Sequence, residues 1–258
     1  MGSLQVALAK LRWSLHHRGV FGTVTKAATR LMRGQNPSPP TLHPFDIRNG
    51  VDTSGMITSV HLTTGSPNDL LGTGYLGSSP SRFCSILKNW VAAPPQQPIS
   101  DYSFIDIGCG KGRAVMLATA YPFRDVIGVE LHPGLAQIAA ANLKKWNASH
   151  GAIPPARIAC QDALEFEFPA TPCLLYLYNP FAESILRQLI DRIAQSVAAN
   201  PRAIDILYCN PKQTVPFDGH PSFQQIWTRP IPISAEDAAA DAFVAPDEVS
   251  SLYRAVPR

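Results

Sequence analysis

Residues 104–115, Phe-Ile-Asp-Ile-Gly-Cys-Gly-Lys-Gly-Arg-Ala-Val, constrain the fold more than any other stretch of the chain. A short apolar run enters a loop with glycine at Gly108, Gly110 and Gly112, and an apolar helical pattern (Ala114, Val115, Leu117, Ala118) leaves it. This reads as strand, tight loop, helix. Glycine at alternate positions lets the backbone turn sharply and lets a ligand lie against it, because no side chain intervenes. The form is D-x-G-x-G-x-G and differs from the G-x-G-x-x-G of the dinucleotide fingerprint.

From residue 101 onward, strand-like and helix-like runs alternate. Strand candidates are 104–107, 125–130, 157–160, 173–178 and 203–209; helix candidates are 113–120, 133–149 and 182–199. Strands separated by helices imply parallel βαβ units, and near-continuous apolar runs suit strands covered on both faces. Residues 223–227 and 252–256 read as short strands that close the sheet as a hairpin. The class is α/β, a doubly wound sheet in residues 100–258, with a helical and loop-rich extension over 1–99.

In that extension, the pattern over 80–91 predicts a helix with Ser79 as N-cap, Pro80 at the first helical position, and Phe83, Ile86, Leu87 and Trp90 on one face. Residues 44–80 are loop-rich, and such a stretch is either a lid or binding loop or a wrapping for the core. Residues 34–43 form a Pro/Ser/Asn linker. Residues 1–33 carry two helical patterns (Leu4, Ala7, Leu8, Leu11; Val24, Ala27, Ala28, Leu31) and six basic residues with no Asp or Glu. They read as a packed extension with a solvated basic face, or as a helix in peripheral contact with a membrane surface or an acidic partner.

The net charge of +3 makes no case for a nucleic-acid partner. No apolar run is long enough to span a bilayer, and the N-terminus has no continuous apolar signal region, so a cytoplasmic location is expected. The cysteines show no C-x-x-C spacing; Cys160, Cys173 and Cys209 lie in or beside strand-like runs and read as buried small hydrophobes in a reducing cytosol. No metal site is expected.

Acidic residues follow three strand ends in order: Asp106, Glu130 and Asp162. In a doubly wound sheet these carboxyl ends open on one edge, where ligands bind. A carboxylate about twenty residues beyond the glycine loop can accept from both hydroxyls of a ribose. After the fourth strand comes Asn179-Pro180-Phe181. An amine gaining a methyl needs an acceptor to aim its lone pair and a π face for developing positive charge, which Asn179 and Phe181 offer. The same tripeptide also fits a strand-ending turn with a core Phe.

Asp106 to Gly112, Gly128-Val129-Glu130 and Gln161-Asp162-Ala163 resemble the successive motifs of class I S-adenosylmethionine-dependent methyltransferases. The resemblance covers roughly residues 100–210 and implies a Rossmann-like seven-stranded sheet of order 3-2-1-4-5-7-6, with S-adenosyl-L-methionine as cofactor. It implies that Asp106, Gly108, Cys109, Gly110 and Gly112 belong to the methionine and ribose part of the site. Glu130, with Leu131 beside it, would take the ribose hydroxyls, and Gln161, Asp162 and Ala163 the adenine. Asn179-Pro180-Phe181 stands where amino-methylating members carry Asn/Asp-Pro-Pro-Tyr/Phe, which makes it the catalytic candidate. Residues 45–55 with Tyr75 are also similar to bacterial methyltransferases distantly like the non-SET histone lysine methyltransferases, which makes Tyr75, Ser78 and Ser79 lid candidates. The chain departs from the family pattern at 210–222, too short and Pro-rich for the usual helix, and at 234–250, an insertion-like loop. The expected activity is methylation of an amino nitrogen on a small molecule or protein side chain. An O-methyltransferase and a non-catalytic cofactor-binding protein are the alternatives. A nicotinamide-dependent oxidoreductase is disfavoured by the glycine spacing and by the lack of a Tyr-x-x-x-Lys pair.

Overall fold

The computed structural model describes residues 42–62, 64–65, 71–151, 154–241, 244–245 and 247–256. The two helical patterns of residues 1–33 and most of the linker lie outside the described residues. A seven-stranded sheet forms the centre, in the order β5-β4-β3-β6-β7-β9-β8. Its strands are β3 (Ser103–Ile107), β4 (Asp125–Glu130), β5 (Ala156–Cys160), β6 (Cys173–Tyr178), β7 (Ile204–Cys209), β8 (Phe223–Pro230) and β9 (Val249–Ala255). Numbered from β3 as the first strand, this is the order 3-2-1-4-5-7-6 that the motifs imply. β3 to β7 pair in parallel, and β9 inserts antiparallel between β7 and β8.

The central strands β3, β4, β6 and β7 are buried on both faces, as their near-continuous apolar runs require, whereas the edge strands β5 and β8 are partly exposed. On one face Phe104, Leu174, Tyr176 and Leu207 pack against three helices: α2 (Pro80–Ala92), α3 (Arg113–Ala118) and α4 (Pro133–His150). On the other, Ile105, Ile127, Leu175 and Ile206 meet Leu186, Leu189, Ile190 and Ile193 of α5 (Glu183–Ala199). The α2 stripe is the expected one, and Phe83, Ile86 and Leu87 are fully buried. Upstream, α1 (Pro44–Asn49) adds Phe45 to the same core as α2. Phe45, Val51 and the α2 stripe therefore share the core of the sheet.

Several local expectations change. The stretch 44–80 contains α1 and a small antiparallel pair, β1 (Met56–Ile57) with β2 (Tyr75–Leu76). The insertion-like loop contains a helix, α6 (Ala235–Ala240), capped by Ser234, whose hydroxyl accepts from the Asp237 N–H. β8 and β9 form a longer ladder than the short hairpin read from sequence, with a bulge between Gln225 and Trp227. Cys173 and Cys209 are buried as expected, but Cys160 is exposed, because it ends the edge strand β5. No described helix is long and apolar enough to cross a membrane.

Candidate functional site

The carboxyl ends of β3, β4, β5 and β6 open onto one cleft. The glycine loop forms its floor. Gly108 and Cys109 donate their N–H groups to the Val129 carbonyl at 2.9 and 3.0 Å, which folds the loop across the end of β4. Gly110 has φ +57°, and a Cβ built there would fall 2.3 Å from Cδ2 of Tyr75. Only glycine combines that backbone with that approach. Gly112 is not part of the lining; it faces Ala139 of α4 and lets α3 pack closely there.

Asp106, Glu130 and Asp162 all line the cleft. Glu130 accepts the Gly110 N–H on one carboxylate oxygen and the His132 N–H on the other, each at 2.8 Å. A carboxylate has about four acceptor sites, so Glu130 keeps capacity toward the cleft. Burial holds the Glu130 carboxyl above its ordinary range, and the two backbone N–H bonds oppose that shift. Asp106 is buried, and its carboxylate accepts no hydrogen bond among the described residues. Burial, and secondarily the Glu130 charge, push its pKa up to about 8. Asp162 holds the turn after β5 by accepting the Leu164 N–H at 2.8 Å. Leu131, Gln161 and Ala163 line the same end.

The roof comes from upstream. Tyr75 lies on Gly110, and its hydroxyl donates to the Thr53 carbonyl at 2.6 Å. Lys111, in the glycine loop, donates to Asp52 at 2.7 Å and to the Ser54 carbonyl at 3.0 Å. Arg113 donates to the Thr53 hydroxyl at 2.6 Å and the Thr53 carbonyl at 3.0 Å. Residues 71–73 then reach the fourth strand end. The Thr73 N–H donates to the Pro180 carbonyl at 3.0 Å, and the Ala182 N–H to the Leu71 carbonyl at 2.8 Å. Ser78 lines the cleft, where its hydroxyl meets that of Tyr176 at 3.0 Å; Ser79 is buried outside it.

The structure divides the tripeptide after β6. Pro180 and Phe181 line the cleft, whereas Asn179 does not. Asn179 has φ +43°, and its Oδ1 accepts from the Tyr208 hydroxyl at 3.4 Å. That is the behaviour of a turn residue, since Asn tolerates the left-handed region. His132 lines the cleft, but its Nδ1 accepts the Leu135 N–H at 3.3 Å as the N-cap of α4. His220 lies outside, beside Asp191. Lys111 and Arg113 are the site residues that sequence reasoning passed over. Lys111 lies in the glycine loop and Arg113 opens α3, and neither position carries a local sequence signal of burial.

Strand order, glycine loop and acid placement together give a Rossmann-like α/β fold with its cleft at the carboxyl edge of the parallel strands. No protein-family model matches the chain. No curated protein matches it either. Among solved structures, a putative methyltransferase from Escherichia coli is 16% identical with a TM-score of 0.47, over 79% of this chain and 100% of that one. A putative tRNA methyltransferase from Streptococcus pneumoniae is 12% identical with a TM-score of 0.45, over 66% and 70%. MtNAS, solved in complex with MTA and tNA, is 17% identical with a TM-score of 0.44, over 68% of this chain and 61% of its own. This chain thus spans less than two thirds of MtNAS. These likenesses carry nothing about chemistry, and the fold rests on the strand order described above.

Proposed function

We propose that this protein transfers a methyl group from S-adenosyl-L-methionine to an amino nitrogen, on a small molecule or a protein side chain. The observation that carries the reading is the convergence of Asp106, Glu130 and Asp162 with the glycine loop on one cleft. Glu130 is suited to two vicinal ribose hydroxyls, because its carboxylate at the end of β4 faces the cleft and can accept from both. Asp106 is suited to an ammonium, because its buried carboxyl meets no counter-charge or donor among the described residues. Asp162 and Ala163, at the third strand end, are suited to the adenine ring.

When bound, the cofactor supplies a methyl on a positively charged sulfonium, and the protein supplies orientation and electrostatics. Pro180 and Phe181 form an apolar and aromatic wall beside the glycine loop. An aromatic face stabilises positive charge that develops on a nucleophilic nitrogen. A hydroxyl nucleophile would need a general base. Among the described lining residues the one histidine is His132, and its Nδ1 is engaged as a helix cap. An amine that arrives deprotonated needs no such group, which favours nitrogen over oxygen.

Calorimetric titration of the full chain with S-adenosylmethionine, S-adenosylhomocysteine and NAD tests the cofactor. Saturable binding of the first two and none of NAD is expected; the reverse pattern would end the proposal. S-adenosylhomocysteine production with fractionated cell extract then tests turnover, and product bearing methyl-nitrogen rather than methyl-oxygen tests the acceptor atom.

A further inference from the structure

Arg113 directly follows the glycine loop, and its side chain is only 1% exposed. Its guanidinium reaches three separate segments. Nε donates to the Thr53 hydroxyl at 2.6 Å, and Nη2 to the Thr53 carbonyl at 3.0 Å. Nη1 faces the Ser78 carbonyl at 3.4 Å and the Asp241 carboxylate, just beyond α6, at 3.5 Å. The space it fills is reserved: a Cβ at Gly77 would fall 2.9 Å from Cζ of Arg113. The Thr53 carbonyl that takes Nη2 also takes the Tyr75 hydroxyl. Tyr75 in turn lies on Gly110, which donates to Glu130. A chain of contacts therefore runs from the inserted helix, through Arg113 and Thr53, to the ring that covers the glycine loop.

We propose that Arg113, held by Asp241, is a positioning residue for the cofactor: it fixes the Thr53 carbonyl that orients Tyr75 over the glycine loop. Resting on the cofactor reading above, this gives the 234–250 insertion a role in the site. The insertion supplies the charge that orients the guanidinium. His43 closes the arrangement from the other side, with Nε2 at 3.4 Å from Asp237 and 3.5 Å from Asp241. Five planar donors in a fixed fork suit Arg to this position, and an ammonium cannot reach all these partners at once.

The test is the dissociation rate of S-adenosylhomocysteine from the full chain, measured by stopped-flow competition, with unfolding followed separately. Arg113→Lys is expected to release the ligand about tenfold faster, the scale of one charge-assisted hydrogen bond. Tyr75→Phe, which keeps the ring and loses the hydroxyl, is expected to speed release several-fold in the wild-type background and not at all in Arg113→Lys. A merely structural Arg113 would lower stability without abolishing the Tyr75→Phe effect. Asp241→Asn provides the same cycle should Arg113→Lys not fold. Additive effects across either cycle, or a wild-type release rate in both Arg113→Lys and Asp241→Asn, overturn the inference alone. Absence of S-adenosylhomocysteine binding by the wild-type protein removes the cofactor reading, and this inference with it.

Discussion

Replacing Gly110 by alanine isolates the contact on which the cleft roof depends. The new Cβ would lie 2.3 and 2.4 Å from Cδ2 and Cε2 of Tyr75, on a backbone with φ +57°. Tyr75 cannot simply swing away, because it is 7% exposed and its hydroxyl donates to Thr53. A left-handed alanine costs about 1 kcal/mol. Forcing a buried ring aside costs about 1–3 kcal/mol. Losing the hydroxyl bond adds about 1 kcal/mol. Together these give about 3–5 kcal/mol, a large share of the ~5–15 kcal/mol stability of an ordinary domain. Denaturant unfolding of wild type, Gly110→Ala, Tyr75→Ala and the double variant measures it. In the Tyr75→Ala background the clash has no partner, so Gly110→Ala is expected to cost only the backbone term, about 1 kcal/mol. An equal cost in both backgrounds would refute the idea that Tyr75 is what excludes a side chain at Gly110.

Asp106 gives a pH signature. Its folded carboxyl titrates at about 8, above an unfolded value near 3.9. The stability it contributes is fully present below the unfolded value and is lost as pH rises through about 8. Asp106→Asn is therefore expected to gain in melting temperature over wild type between pH 6 and 9, and a pH-independent difference would refute the assignment. Glu130→Ala is expected to abolish S-adenosylhomocysteine binding in calorimetry, since it removes both the candidate ribose acceptor and the partner of the Gly110 N–H; wild-type affinity would remove Glu130 from the site. Asn179→Gly tests the amino-nitrogen role against the turn role: it keeps the left-handed backbone and is expected to leave cofactor affinity intact. Once an acceptor is found, loss of transfer in that variant would show that the side chain acts on the nucleophile despite its contact with Tyr208.

The sheet was legible because its signals are local and redundant. Each strand from β3 to β7 is a short, near-continuous apolar run, and each stands beside a helix or turn with its own stop signal. The placement of the three acids follows from that, since Asp106 is the penultimate residue of β3, Glu130 closes β4 and Asp162 follows β5. The roof was less legible because its signals are not local. Arg113 is paired with residues 60 and 128 positions away. Nothing in the sequence around Arg113 says that a charged side chain there is buried. Asn179 shows the converse limit: a three-residue motif fixed the turn, but which way the amide faced depended on Tyr208, 29 residues on.

The loop-rich stretch after residue 44 and the insertion around α6 support one another. The loop-rich stretch after residue 44 crosses the glycine loop with few apolar side chains to hold it, so polar anchors must do so. Asp46 supplies one set, accepting from the Thr53 N–H, the Thr53 hydroxyl and the Ser54 hydroxyl. The insertion supplies the other. Asp237 accepts from both the N–H and the hydroxyl of Ser81 at the start of α2, while Asp241 faces Arg113 and His43. Buried carboxylates on a six-residue helix would be a liability without those partners. With them, the late insertion and the upstream crossing become one support, reaching the cleft through Thr53 and Tyr75. A chain that kept the crossing and lost the insertion would leave Arg113 buried with its charge unpaired, so the two segments are expected to be retained or lost together.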